Sequence, residues 1–128
     1  MERAILTEGL ELLGWRDVPV DNTTIGKRAR SVEPVIKQIF IGAPDDVKDQ
    51  LAFERRLYCV RKRSAWGVRR AGLNDNNENF YICSLSSKTL IYKGQLMAPQ
   101  LESYYLDIKD QKMTSALALA HSQRSRST

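Results

Sequence analysis

Residues 80–94 read Phe80-Tyr81-Ile82-Cys83-Ser84-Leu85-Ser86-Ser87-Lys88-Thr89-Leu90-Ile91-Tyr92-Lys93-Gly94 and carry the densest strand signal of the 128-residue chain. Two arms, 80–85 and 89–93, are rich in β-branched and aromatic residues, which suit a pleated, half-buried surface. A few small polar residues separate the arms, and Gly94 ends the second arm. The stretch therefore predicts a β-hairpin.

The chain before this hairpin begins with a helical pattern. Leucines at positions 6, 10 and 13 recur at helical spacing, so residues 1–13 are predicted to form an amphipathic helix that Gly14 ends. Residues 16–20 predict a short strand. Because Pro19 cannot donate a hydrogen bond to a neighbouring strand, this strand is expected at an edge or a strand end. Residues 21–33 are rich in turn-forming and charged residues and predict a loop.

A second strand and helix follow. Residues 35–41 are strongly apolar and predict the most buried strand of the first half. Asp45 or Asp46 is expected to cap the next helix, since a carboxylate there can accept hydrogen bonds from free helix amides. The apolar spacing carries that helix to about Lys62. Residues 64–79 predict a surface loop because they contain two glycines and a run of Asn and Asp.

After the hairpin, the pattern predicts one more helix and one more strand. Pro99 suits the first turn of a helix, and apolar residues at helical spacing continue it to residue 107. Residues 115–120 alternate Ala and Leu without charge, as in a strand covered on both faces. The tail, residues 122–128, has no apolar residue and is expected to be disordered.

These elements predict one α+β domain over residues 1–121, with helices packed on a mixed or antiparallel sheet. The order is ferredoxin-like, αββαβ, without the first strand of that arrangement, and a C-terminal hairpin, helix and strand complete it. A missing inner strand would leave backbone donors and acceptors unpaired. We therefore expect self-association, as a homodimer or a larger oligomer.

Composition limits the possible functions. The chain has 42% hydrophobic residues and a net charge of +5, which suits one modest core and a mild attraction to polyanions. Cys59 and Cys83 form no CxxC pair and have no neighbouring His, so two buried free thiols are expected and neither a metal site nor a cofactor is predicted. No leader and no membrane span are seen, so a cytoplasmic location is expected.

The basic clusters Arg55-Arg56, Arg61-Lys62-Arg63 and Arg69-Arg70 leave nucleic-acid binding as an alternative. Charged helix faces are usually solvated, and Asp49 and Glu54 dilute this one, so a nucleic-acid partner is not expected.

Several separated blocks carry a resemblance to a known family. They include GLELLGWRDVPV from Gly9, EPVIKQIFI from Glu33, FERRLY from Phe53 and FYICSLSSKTLIYKGQL from Phe80, and they continue through YYLDIKD to SALALAHS. Together they resemble the class II, N-terminal-nucleophile glutamine amidotransferase domain of the glutamate synthase large subunit. The resemblance implies hydrolysis of glutamine to glutamate and ammonia by an N-terminal cysteine whose own α-amino group is the base.

The match to the family's functional residues is incomplete. The chain begins Met1-Glu2, and both cysteines lie inside predicted elements, so no catalytic residue is assigned. The family's His-Ser-Arg-Phe-Ser-Thr motif, which binds substrate, resembles the run that starts at His121. Without a gap Gln123 takes the place of the arginine, whereas a one-residue slip puts Arg124 there. Arg124 is therefore the only substrate-binding candidate.

Two further site hypotheses have weaker support. His121 stands alone at a strand end, where packing or solvent exposure is the usual role. Ser84, Ser86 and Ser87 with His121 and Asp107 have no spacing typical of a catalytic triad. The sequence thus predicts a truncated, catalytically inactive fragment of the amidotransferase domain. An oligomeric scaffold or protein-binding module is the alternative.

Overall fold

A computed structural model of the chain describes residues 1–73 and 80–121. Its elements in chain order are α1 (Glu2–Thr7), β1 (Glu11–Asp17), α2 (Lys27–Ser31), β2 (Lys37–Gly42), α3 (Gln50–Arg70) and α4 (Gln100–Tyr104), followed by a 3₁₀ turn, Leu106–Lys109. β1 and β2 pair into a two-stranded antiparallel sheet. The predicted α+β class is confirmed. No helix of the described part is long and apolar enough to cross a membrane.

The chain separates into two compact units. The first contains residues 1–16 and 39–93, and the second contains residues 17–38 and those from Gly94 onward. Four buried residues form the core of the first unit, namely Ile5, Leu10, Leu57 and Val60. Leu12 of β1 and Ile39 and Ile41 of β2 pack against this core. One face of the sheet therefore covers α1 and α3.

The first helix is shorter than predicted, because α1 ends at Thr7 and not at residue 13. Gly9 adopts a left-handed conformation with a φ of 65°, and the Leu10 amide donates back to the Ile5 carbonyl at 3.0 Å. This is the glycine-closed helix end known as the Schellman motif. Leu10 is buried in the core, and the following residues alternate between faces as β1.

The long helix α3 differs from its prediction at both ends. Asp49 caps it, and its carboxylate accepts hydrogen bonds from the Leu51 and Ala52 amides; the predicted cap at Asp45 or Asp46 was wrong. The helix continues to Arg70, so residues 64–70 are helical and not a loop. Gly67 lies within the helix, whereas Gly72, with a φ of 64°, closes it.

The central hairpin is not present as a regular sheet. Its two arms meet where the Cys83 thiol lies 4.0 Å from the Ile91 carbonyl oxygen, but residues 80–93 are not assigned as strands. Arg61 of α3 donates to the Ile82 carbonyl at 3.2 Å, so one arm is bound to the helix. Residues 115–120 also lack strand structure. The ferredoxin-like order is therefore not confirmed.

The predictions for the other segments have mixed outcomes. The loop predicted over residues 21–33 contains α2, and the strand predicted over residues 16–20 overlaps β1 only at Arg16 and Asp17. β2 overlaps the strand predicted over residues 35–41, but none of its residues is fully buried, so the expected burial was wrong. Pro99 precedes α4 as predicted, although α4 ends at Tyr104 and not at residue 107. The Asn and Asp run of the predicted loop, residues 74–77, and the tail, residues 122–128, are not among the described residues.

Candidate functional site

A cluster of hydrogen-bonded polar side chains in the first unit joins α3 to the turn at residues 86–88 of the central stretch. The Glu54 carboxylate accepts hydrogen bonds from the Ser87 amide at 2.8 Å and from the Ser87 hydroxyl at 2.6 Å, and both end on Oε1. The Gln50 side-chain amide, one helical turn earlier, donates to the Ser87 hydroxyl oxygen. The Lys88 amide in turn donates to the Ser86 hydroxyl oxygen at 3.1 Å. This Glu54–Ser87 cluster fixes the turn on the first turns of α3.

The cluster favours the charged form of Glu54. The hydrogen bond from the Ser87 hydroxyl is the main cause that lowers the pKa of the Glu54 carboxyl, and the Ser87 amide, the Ser86 hydroxyl and the positive charge of Lys88 add to it, while desolvation opposes them. A carboxylate with a lowered pKa is a poor base at neutral pH. We therefore assign Glu54 a structural role.

The space next to the cluster is small. A cavity of about 60 Å³ lies between the turn, β2 and α3, and its walls are mainly apolar. Small-molecule pockets usually have volumes of about 300–1,000 Å³, so this cavity is well below the usual size of a substrate site. The lining residues are Ile39, Ile41, Phe53, Leu57, Leu85, Ser86 and Ser87.

The two cysteines are free thiols in different surroundings. Cys59 is exposed on α3, and Cys83 is half-buried in the first arm with its thiol near the Ile91 carbonyl. The expected burial is thus wrong for Cys59. In each case the residue lies within the chain and has no α-amino group of its own, so neither matches the family's N-terminal nucleophile.

The remaining candidate residues are divided between the two units. Ser87 donates to a carboxylate and Ser86 accepts from a backbone amide. Asp107 and His121 belong to the second unit, where His121 is exposed. Arg124 lies outside the described residues. Within residues 1–73 and 80–121, no group of three or more His, Cys, Asp or Glu side chains could hold a metal ion.

Several basic side chains of α3 make ion pairs or ring contacts within the first unit. Arg63 pairs with Glu8 at 2.7 Å and Arg56 pairs with Asp46 at 2.9 Å. Lys62 lies over the Tyr58 ring, with its Nζ atom 5.4 Å from the ring centroid. These contacts link α3 to its neighbours and leave less of the helix as an open basic face.

Sequence reasoning missed the role of Glu54, which it treated only as a charge that diluted the basic clusters. A usable signal existed, since a turn of small polar residues has free amide and hydroxyl donors that need an acceptor. The partner, however, lies 33 positions away, and no local pattern identifies it.

Comparison with known proteins identifies the family. The profile of class-II glutamine amidotransferases matches residues 1–128. The chain is 47% identical over 122 residues to the glutamate synthase [NADPH] large chain of Bacillus subtilis, covering 94% of this chain and 8% of that protein. It is 39% identical over 128 residues to the corresponding large chain of Azospirillum brasilense, covering all of this chain and 8% of that protein.

A plant relative has a different electron donor in its name. The ferredoxin-dependent glutamate synthase 1 of Arabidopsis thaliana is 38% identical over 130 residues, again with all of this chain and 8% of the relative covered. The chain thus spans about one-twelfth of the length of these relatives. With the profile matched from its first residue to its last, the chain belongs to the class-II glutamine amidotransferase family.

Proposed function

We propose that this chain supplies scaffold elements of a glutamine-hydrolysing domain and does not hydrolyse glutamine by itself. The complete domain would convert glutamine to glutamate and ammonia, as the membership of the family and the names of the relatives suggest. The observation that carries the proposal is the placement of the two thiols. One is on the exposed side of a helix and the other is in an arm whose neighbour is a carbonyl oxygen.

The surroundings of the thiols support the proposal that the chain does not hydrolyse glutamine by itself. An activated thiol nucleophile needs a base within hydrogen-bonding distance, and in this family the base is the amine of the nucleophile itself. Cys83 has the Ile91 carbonyl as its described neighbour, which accepts a hydrogen bond but cannot take up the proton. The Glu54–Ser87 cluster instead holds the turn against α3, which is a structural role and not a catalytic one.

The test is an assay of the purified 128-residue chain with L-glutamine, in which released ammonia is followed by a coupled assay. We expect no release above the rate of the buffer. The Cys59→Ser and Cys83→Ser variants serve as matched controls, because each removes one thiol and little volume. Saturable ammonia release that either variant abolishes would overturn the proposal.

A second role, self-association with another copy of the chain, is supported by the outer face of the sheet in the first unit. Leu13 and Trp15 of β1 and Phe40 of β2 lie opposite the core-facing residues, because side chains alternate along a strand. These three side chains are 61%, 43% and 50% exposed. We propose that this sheet face pairs with the same face of a second copy.

A further inference from the structure

The first unit contains a second concave surface, separate from the Glu54–Ser87 cluster. This aromatic groove has a volume of about 270 Å³. One wall is a single face of α3, formed by Tyr58, Arg61, Lys62 and Ala65 at helical spacings of three, four and seven. The opposite wall is the first arm of the central stretch, residues 80–82.

The lining of the groove combines flat rings with positive charge. Of its seven described lining residues, three are aromatic, two are basic and none is acidic, whereas elsewhere on α3 Glu8 and Asp46 pair with neighbouring arginines. The lining residues are Tyr58, Arg61, Lys62, Ala65, Phe80, Tyr81 and Ile82. A concave surface with aromatic walls and a few charged groups is typical of a small-molecule site.

Contacts across the groove hold its walls in place. Arg61 Nη2 donates to the Ile82 carbonyl oxygen at 3.2 Å, which ties the arm to the helix. Lys62 lies over the Tyr58 ring, and Lys93 lies over the Tyr81 ring with its Nζ atom 5.2 Å from the centroid. The rings are therefore bordered by cations on both walls. The groove consequently offers a stacking surface next to a positive potential.

We propose that the aromatic groove binds a small planar aromatic anion, a ligand with one flat ring system and one phosphate or carboxylate group. The ring would stack on Tyr58 and Tyr81, and the anionic group would pair with Arg61 and Lys62. A guanidinium suits this role because its planar set of donors matches phosphate and carboxylate oxygens. A volume near 270 Å³, just below the usual range of ligand pockets, favours a small ligand.

A neutral ring would use only the aromatic side chains of the groove, and an anion without a ring would use only its basic side chains. Stacking a ring on an aromatic side chain and hydrogen bonding to a charged group each typically strengthen binding by about tenfold. A ligand that carries both features is therefore expected to bind at least about tenfold more tightly than either part, since tenfold in affinity corresponds to about 1.4 kcal/mol.

The experiment is a calorimetric titration of the purified chain with adenosine 5′-monophosphate, adenosine and inorganic phosphate in the same buffer. We expect the monophosphate to bind with one site per chain and about tenfold more tightly than the other two probes. Equal affinity for phosphate alone would mean a basic patch without a ring site. Equal affinity for adenosine would mean an apolar surface without charge recognition, and either result, or no saturable binding, would overturn the proposal.

Matched variants locate the site. Arg61→Gln with Lys62→Gln, and separately Tyr81→Leu, should each weaken monophosphate binding by about tenfold. The controls are Arg55→Gln with Arg69→Gln, which remove the same charge elsewhere on α3, and Trp66→Leu, which removes an exposed ring outside the groove. Binding that falls equally in the controls would overturn the assignment to this groove, and circular dichroism of each variant confirms that α3 is folded.

Discussion

At the scale of single residues, Glu33 shows how one half-buried carboxylate can link two side chains of the second unit. The hydroxyl of Tyr104, which is only 3% exposed, donates to Glu33 Oε1 at 2.7 Å, and the Asn22 side-chain amide donates to Oε2 at 2.8 Å. Burial is the main cause that raises the pKa of the Tyr104 phenol, and Glu33 adds to it. Tyr104 also packs edge-to-face on Tyr105, with ring centroids 4.8 Å apart.

These bonds make the stability of the second unit depend on pH. The hydrogen bond from Asn22, followed by that from Tyr104, lowers the pKa of Glu33 from its usual value of 4.5. A depressed carboxyl pKa contributes stability that is present above pH 4.5 and is lost as the pH falls through the lower, folded-state value. The Glu33→Gln variant should therefore have a lower Tm than the wild type at pH 7, and the two Tm values should converge in acid.

Thermal unfolding of both proteins by circular dichroism, from pH 7 to pH 3, measures this convergence. Glu102→Gln is the control, because Glu102 is an exposed glutamate of α4. That variant should follow the wild type at every pH. A Glu33→Gln deficit that stays constant across the range would contradict the role of the charged carboxylate.

At the scale of elements, α3 permits a direct test of which aspartate caps it. The carboxylate of Asp49 accepts from two free amides at 3.1 and 3.2 Å, while Asp45, which the sequence favoured equally with Asp46, lies further from the helix start. Replacing an N-cap aspartate with alanine costs about 0.5–2 kcal/mol. Asp49→Ala should therefore lower the free energy of unfolding by about 1 kcal/mol.

Urea unfolding measures this change, and Asp45→Ala is the matched control. Surface substitutions away from specific contacts usually stay within about 0.5 kcal/mol, which is the expected effect for Asp45→Ala. A larger loss for Asp45→Ala than for Asp49→Ala would restore the cap predicted from sequence and contradict the observed start of α3.

The elements also show where local patterns succeed. β2 and α4 were predictable, because an apolar run and a helix-starting proline are local signals that the tertiary contacts do not oppose. The ends of α1 and α3 were not, since a glycine can either close a helix or lie inside it. Gly9 and Gly72 close helices in left-handed conformations, whereas Gly67 lies within α3.

The hairpin prediction for the central stretch was wrong for a different reason. Its composition indicates strands, but Arg61 of α3 takes the Ile82 carbonyl, which a β-ladder would use, and Glu54 of α3 takes the Ser87 amide of the turn. Both partners lie at least 21 positions away in sequence. The candidate groove was equally hidden, because its walls come from α3 and from residues 80–82, which are distant from each other in sequence.

At the scale of the whole molecule, the sheet gives the strongest reason to expect association. Two strands alone are marginal in water, and among the described residues of the first unit α1 and α3 pack on one face of this sheet. The other face presents Leu13, Trp15 and Phe40, and the Leu13 side chain packs directly beside Gly42, where a Cβ atom would lie 3.4 Å from Leu13 Cδ2. Two copies related by a two-fold axis would set this apolar patch against itself, as an isologous interface requires.

Light scattering after gel filtration tests this pairing, and the wild type should have twice the chain mass of 14.6 kDa. The double variant Leu13→Lys with Phe40→Lys should have the mass of one chain. A dimer of this variant would bring four lysine charges to the centre of an apolar interface, where they would be desolvated and unpaired. Val32→Lys with Val35→Lys, at exposed positions of the second unit, should keep the double mass. A wild type with the mass of one chain, or equal dissociation in both double variants, would show that the sheet face does not bind a second copy. The apolar side chains would then need a different partner.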